Sequence, residues 1–193
     1  MVYVLLAEGF EDIEALAPVD ILRRASVDVK LAGVTGETVT SANGVTVQTD
    51  CLLCDVPLDG CDMLVLPGGS PGWKNLRGSE PVLELVRRAH DGGKLLAAIC
   101  GAPVILAELG LLKGRRAVCY PGMESELTRF GAVAPENETV VRDGNIITAR
   151  AAGSSIDFGL RLAAALNGED AAGEVCRAIC YTPRNGITGP LAP

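Results

Sequence analysis

Short apolar runs alternate along the chain with stretches whose apolar residues fall three and four positions apart. Val2–Ala7 is a continuous apolar run and predicts a buried strand. Glu11–Ala25 follows, with Ile13, Leu16, Ala17 and Ile21 at helical spacing. Pro18 falls inside that stretch, so the helix either starts near Ala15 or bends at the proline. Val27–Ala32 predicts a second strand. Thr35–Gln48 alternates through Val39, Val45 and Val47 around Asn43-Gly44, a hairpin turn signal. Met63–Leu66 predicts a third buried strand and runs into the glycine loop Pro67-Gly68-Gly69-Ser70-Pro71-Gly72. Pro81–Ala89 predicts a helix, Lys94–Ile99 a fourth buried strand, and Cys100-Gly101-Ala102-Pro103 opens a helix through Leu109. Arg116–Tyr120 predicts another strand. Thr139–Val141 and Ile146–Thr148 flank a second hairpin signal at Asp143-Gly144, and Ser154–Leu166 predicts a final helix.

Strands alternating with helices of this length form βαβ units, hence an α/β fold with a mostly parallel sheet. The 193 residues suit one domain, residues 1–180. Tyr181–Pro193, with three prolines and two glycines, is expected to form an extended tail. Aromatic residues make up only 4%, so Ala, Val, Leu and Gly must build a core of closely packed backbones. A net charge of -7 argues against nucleic acid, whose phosphates repel an acidic surface. No apolar run approaches the roughly 20 residues that span a bilayer. Met1–Glu8 lacks a basic segment and carries a carboxylate by position 8, so it reads as a strand rather than a signal peptide, and the protein is expected in the cytoplasm. Seven cysteines, an odd number without an export signal, argue for reduced thiols.

One cysteine occupies a distinctive place. Cys100 stands between the apolar run Leu95–Ile99 and the helix that opens near Gly101. In open α/β sheets ligands bind beyond the carboxyl ends of the strands. A residue on a tight strand-to-helix turn projects its side chain there, as in a nucleophile elbow. A helix start beside the sulfur would favour the thiolate. The amides of the Gly68-Gly69 loop, after the neighbouring strand, point to an oxyanion site shared with the amide of Gly101. On spacing alone, a small buried hydrophobe is an equal reading of Cys100, and an ordinary turn the simpler one for Gly68-Gly69. Ligand spacing suggests no metal, and no cofactor is needed.

Ala7-Glu-Gly-Phe-Glu-Asp-Ile-Glu14, Leu66-Pro-Gly-Gly69 and Ala97-Ala-Ile-Cys-Gly-Ala-Pro103 together resemble the signatures of the ThiJ/PfpI superfamily, in the branch named for the Parkinson-associated protein DJ-one. Ala151–Phe158 and Leu166-Asn-Gly168 resemble the last helix of that branch. The resemblance runs from about residue 2 to residue 177. It implies a flavodoxin-like (class I glutamine amidotransferase-like) sandwich with helices on both faces, and a homodimer, for which the early helix Glu14–Ala25 is a candidate interface. It implies that Cys100 is the nucleophile and oxidation-sensitive thiol. Glu14 would be a protonated acid hydrogen-bonded to it, and the amides of Gly69 and Gly101 would form the oxyanion hole. A carboxylic acid facing a thiolate in a dry cleft does tend to keep its proton; a solvated helix-start carboxylate is the plainer alternative. Arg24 falls where the branch carries an arginine near the site, or else on a solvated helix end.

Other positions depart from the pattern. Protease-like members place a histidine directly after the nucleophile, where Gly101 stands here. The DJ-one branch places one before a proline in the later strand, where Tyr120 and Pro121 stand here as expected site-lining residues. The single histidine, His90, lies at the wrong end of the sheet for catalysis. A basic residue near Ser41–Asn43, found in some relatives, is missing, which puts anion binding there in doubt. Cys51 and Cys54 have C-x-x-C spacing but no zinc partners, so they read as packing; Cys119 reads as core, and Cys176 and Cys180 suggest no chemistry.

Without a Cys–His–Glu triad, peptide hydrolysis is disfavoured, since no strong base serves an amine leaving group. The resemblance implies glyoxalase- or deglycase-like action on small reactive carbonyls through Cys100 and Glu14, with no cofactor. The alternative is a redox sensor or redox-regulated chaperone without turnover, in which Cys100 oxidises to a sulfinate. A PfpI-type hydrolase is the weaker third reading.

Overall fold

Side chains of β1 (Val2–Leu6) alternate between two cores: Val2, Val4 and Leu6 face one way, Tyr3 and Leu5 the other. A strand buried on both sides needs a helical layer on each face. In the computed structural model, which describes residues 1–183, β1 lies inside a seven-stranded sheet. The remaining strands are β2 (Val29–Gly33), β5 (Cys51–Leu52), β6 (Met63–Leu66), β7 (Leu95–Ile99), β8 (Val140–Asp143) and β9 (Ile146–Ala149), with β3 (Thr38–Thr40) and β4 (Thr46–Gln48) forming a separate hairpin. The order is β5-β2-β1-β6-β7-β9-β8, parallel throughout except for the β8–β9 hairpin. This is the flavodoxin-like arrangement, with its order reversing beside β1.

Two helices cover the Val2–Val4–Leu6 face: α1 (Asp12–Arg24), through Ala15, Val19 and Leu22, and α6 (Ser155–Ala178), through Phe158 and Leu162. The opposite face is covered by α2 (Gly72–Arg77), α3 (Glu80–Asp91), α4 (Pro103–Glu108) and α5 (Glu124–Thr128). Pro18 sits within α1, which begins at Asp12, capped by the Glu11 side chain accepting from the Glu14 amide at 2.7 Å. The β3–β4 hairpin braces that helix start. The Ser41 hydroxyl and the Asn43 amide donate to the Asp12 carboxylate at 2.6 and 2.8 Å. These bonds, that from Ser41 first, hold the Asp12 carboxyl below its ordinary range. An acid already fills the place where an anion would have to sit.

Some expectations need correction. Arg116–Tyr120 is not a strand. Arg116 makes one isolated bridge to Val133, Val118 donates to the Thr148 hydroxyl, and Tyr120 donates to the Cys100 carbonyl, so no ladder forms. The helix expected to reach Leu166 is broken just beyond it, at Gly168, whose φ of +88° leaves the helical path; the further helical stretch that continues to Ala178 was not expected. Of the expected tail Tyr181–Pro193, residues 184–193 lie outside the described residues. Among the described residues no helix is long and apolar enough to cross a membrane.

Candidate active site

The turn after β7 holds Cys100 at φ +66°, in the left-handed region that side-chain-bearing residues rarely adopt. Its amide donates to the Ala149 carbonyl at 3.1 Å, and its carbonyl accepts from Tyr120 at 2.8 Å. Held on both sides, the turn directs the sulfur into a cavity of about 490 Å³ at the carboxyl end of the sheet. A strained residue kept in place by its surroundings is a mark of functional sites.

Glu14 reaches the same cavity from the first turn of α1 and is only 1% exposed. Its Oε2 accepts from the Gly68 amide at 3.0 Å, and its carboxyl hydrogen-bonds the Cys100 thiol. Gly68 is where the three segments meet. A Cβ there would lie 2.5 Å from the Cys100 Cβ and overlap the Glu14 carboxylate, so no larger residue fits. The next residue, Gly69, has φ +93° and turns its amide, with that of Gly101, onto the sulfur.

The electrostatics follow from burial. Removal from water pushes the Glu14 carboxyl up to about 7; the Cys100 hydrogen bond opposes this, and the nearby Glu11 charge adds to it. Burial also pushes the Cys100 thiol up to about 12, with the charge of Glu14 as the second cause and the amides of Gly69 and Gly101 opposing. The expectation of a thiolate favoured by a helix start is therefore corrected. Helix α4 has six residues, and burial and the facing carboxylate outweigh it. Above about pH 7 the pair carries one negative charge, on the Glu14 carboxyl, which accepts from the amides of Gly68 and Ala152, while the Cys100 thiol keeps its proton.

The structure brings Cys100, Glu14, Gly69, Gly101 and Tyr120 around one cavity. It does not bring Arg24 there. Arg24 sits in the last turn of α1, about 15 Å along the helix from Glu14 at 1.5 Å per residue. There it pairs with Asp20 at 2.7 Å, beside Ile156 and Tyr181. Pro121 is exposed and stands outside the cavity wall. His90 lies near the end of α3, beside Asp91 and before the start of β7, at the other end of that strand from Cys100.

Two contributors escaped the sequence reading. Trp73 and Lys74 line the cavity from α2, a six-residue helix that follows directly on the glycine loop. The available signal was that Trp73 is the only tryptophan and closely follows Gly68-Gly69. Met123 and Ala151-Ala152 complete the wall. Cys119 is buried in the core as expected. Cys54 instead lines a hollow of about 530 Å³ between the β2 and β5 ends and α3; none of the groups around Cys100 lies there. Among the described residues no cluster of metal-ligating side chains occurs.

The sequence model of the DJ-1/PfpI family matches residues 1–165. The chain is 38% identical to protein dj-1beta of Drosophila melanogaster, over 91% of this chain and 94% of that protein. It is 35% identical to a deglycase of Pyrococcus abyssi, over 79% and 90%. The crystal structure of Drosophila melanogaster DJ-1beta superposes with a TM-score of 0.90 at 37% identity, covering 94% of this chain and 98% of that one.

Proposed function

The chain belongs to the DJ-1/PfpI family, and from that premise we propose that it is a cysteine-dependent enzyme acting on small reactive carbonyl compounds, in the manner of a glyoxalase or deglycase. One observation carries this reading: the buried Glu14 carboxyl, pushed up to about 7, is hydrogen-bonded to the Cys100 thiol in an open cavity. A proton carrier poised near neutral pH beside a nucleophile suits acid–base work on a bound carbonyl. The deglycase name of the Pyrococcus relative supports the same class.

With methylglyoxal as substrate the steps balance without a cofactor. The Cys100 sulfur attacks the aldehyde carbon, its proton passes to the aldehyde oxygen, and a hemithioacetal forms. The amides of Gly69 and Gly101 hold that oxygen while it is charged. Glu14, as carboxylate, removes the hydrogen from the former aldehyde carbon and returns a proton to the neighbouring carbon, giving a lactoyl thioester. Water then cleaves the C–S bond, releasing lactate and regenerating the thiol. The net change is addition of one water to methylglyoxal.

The test is methylglyoxal consumption with lactate detection in wild type, Cys100→Ser and Glu14→Ala. Turnover abolished in both variants supports the reading. No turnover in wild type sinks it.

A second reading, a peroxide-sensing thiol without turnover, is favoured by the two amides aimed at the sulfur itself and by Tyr120 at the position where the family branch carries histidine. It predicts a Cys100 sulfinate after mild peroxide treatment, read by mass spectrometry, and no lactate.

A further inference from the structure

Three groups of different shape converge on the mouth of the Cys100 cavity. The Trp73 indole packs flat against Gly101. A Cβ built on Gly101 would lie 2.7 to 2.8 Å from three atoms of its five-membered ring, so the backbone next to the nucleophile lies over the ring face. Tyr120, 49% exposed, has its amide tied to the Cys100 carbonyl and its side chain at the cavity wall. Met123, which caps α5, adds a thioether, and Ala151 and Ala152 add only methyl groups. The polar groups of the reaction lie at Glu14 and the glycine amides; Glu11, Ser70 and Lys74 add polar side chains to the lining, and the rest of the wall is aromatic, thioether and methyl.

A methyl substituent leaves most of a cavity of about 490 Å³ unfilled. A flat ring on the substrate fills it and meets an indole, a phenol and a sulfur, each of which favours aromatic neighbours. We infer that this cavity selects carbonyl compounds bearing an aromatic substituent, with Trp73 and Tyr120 as the specificity-determining residues. The inference rests on the reading that Cys100 attacks a small carbonyl compound. It narrows the substrate class from α-oxoaldehydes in general to aryl α-oxoaldehydes.

Selectivity can be measured apart from turnover, because the first encounter with Cys100 is also made by α-haloketones. In that reaction the sulfur displaces bromide: a C–S bond forms, the C–Br bond breaks, and the thiol proton leaves with the halide. The rate of Cys100 alkylation is followed by mass spectrometry with phenacyl bromide and with bromoacetone, and the aryl-to-methyl rate ratio is divided by that of a free thiol. The inference expects a corrected ratio of about fivefold or more in wild type, the scale of one or two aromatic contacts. It expects the ratio to fall to near unity in Trp73→Ala and to be restored in Trp73→Phe. A corrected ratio near unity in wild type, or one unchanged in Trp73→Ala and Tyr120→Ala, overturns it. A ratio above fivefold without turnover of methylglyoxal or phenylglyoxal upholds the selectivity and removes the enzyme reading. Turnover of both at equal efficiency with a ratio near unity does the reverse.

Discussion

Glu14 and Cys100 share a hydrogen bond although one stands on the first turn of α1 and the other on the turn after β7. The parallel sheet makes this possible. Crossovers between parallel neighbours return every strand's carboxyl end to one edge, and the Gly68 loop after β6 fills the gap between the two turns. The pair is thus a product of topology more than of any local sequence signal, and its behaviour gives direct tests.

The first concerns stability against pH. The Glu14 carboxyl keeps its proton to about 7 when folded, against 4.5 for an ordinary glutamate in water. Between those values the folded state binds more protons than the unfolded one, so this contribution is fully present below about 4.5 and is lost as pH rises toward 7. Glu14→Gln has no proton to lose. Denaturant unfolding from pH 4.5 to 8 should show wild type losing on the order of 3 kcal/mol relative to the variant, at about 1.4 kcal/mol per pH unit. Parallel curves for the two proteins would refute this.

The second concerns the thiol. Burial and the charge of Glu14 hold the Cys100 thiol up to about 12, so its iodoacetamide labelling should rise only well above neutral pH. In Glu14→Gln that charge is gone and burial remains, so the rise should move to lower pH. Peptide mass spectrometry separates Cys100 from the other cysteines, and the same labelling profile in both proteins would contradict the charge effect.

Gly68→Ala tests the close approach of the three segments. Its methyl group would collide with the Glu14 carboxylate and lie 2.5 Å from the Cys100 Cβ. Overpacking of this kind costs about 1–3 kcal/mol. Separation of the pair also weakens the Glu14 charge that holds the thiol up, so Cys100 labelling at pH 7 should be faster than in wild type. Wild-type labelling in a stably folded variant would show that the loop yields and the contact does not matter.

Asp157 gives a prediction away from the cavity. It is 2% exposed in α6, and neither carboxylate oxygen has a hydrogen-bond partner among the described residues. A formal charge buried without a partner is costly, so Asp157→Asn should be more stable than wild type by about 1–3 kcal/mol at neutral pH. A lowered melting temperature would mean that the carboxylate has a partner the side-chain packing does not reveal.

The sequence carried the fold because its apolar runs do two jobs at once. Val2–Leu6 and Leu95–Ile99 are apolar at every position, which only a strand covered on both faces requires. Cys100 was legible for the same reason, since one such run ends against a helix opened by Pro103. Helical spacing gives the period of a side chain but not its distance from a site, so nothing in the spacing separated Arg24, expected to line the site, from the solvated helix end that was its alternative, although it sits at the opposite end of α1 from Glu14. Helix α2 is too short to show a period, which hid Trp73. The stretch Arg116–Tyr120 has strand-like composition, but its backbone bonds are taken by Thr148, Val133 and Cys100, a matter settled only by the tertiary arrangement.

The positive φ of Cys100 also restricts what can ever stand at that position. A branched Cβ is a gross outlier in this region of backbone space, so threonine is barred despite its nucleophilic oxygen, as are valine and isoleucine. Glycine, or asparagine after it, would suit the turn better than cysteine does. A lineage with no use for the sulfur would gain stability by drifting to either. The backbone here selects against its own nucleophile, and the thiol persists only where its chemistry is needed.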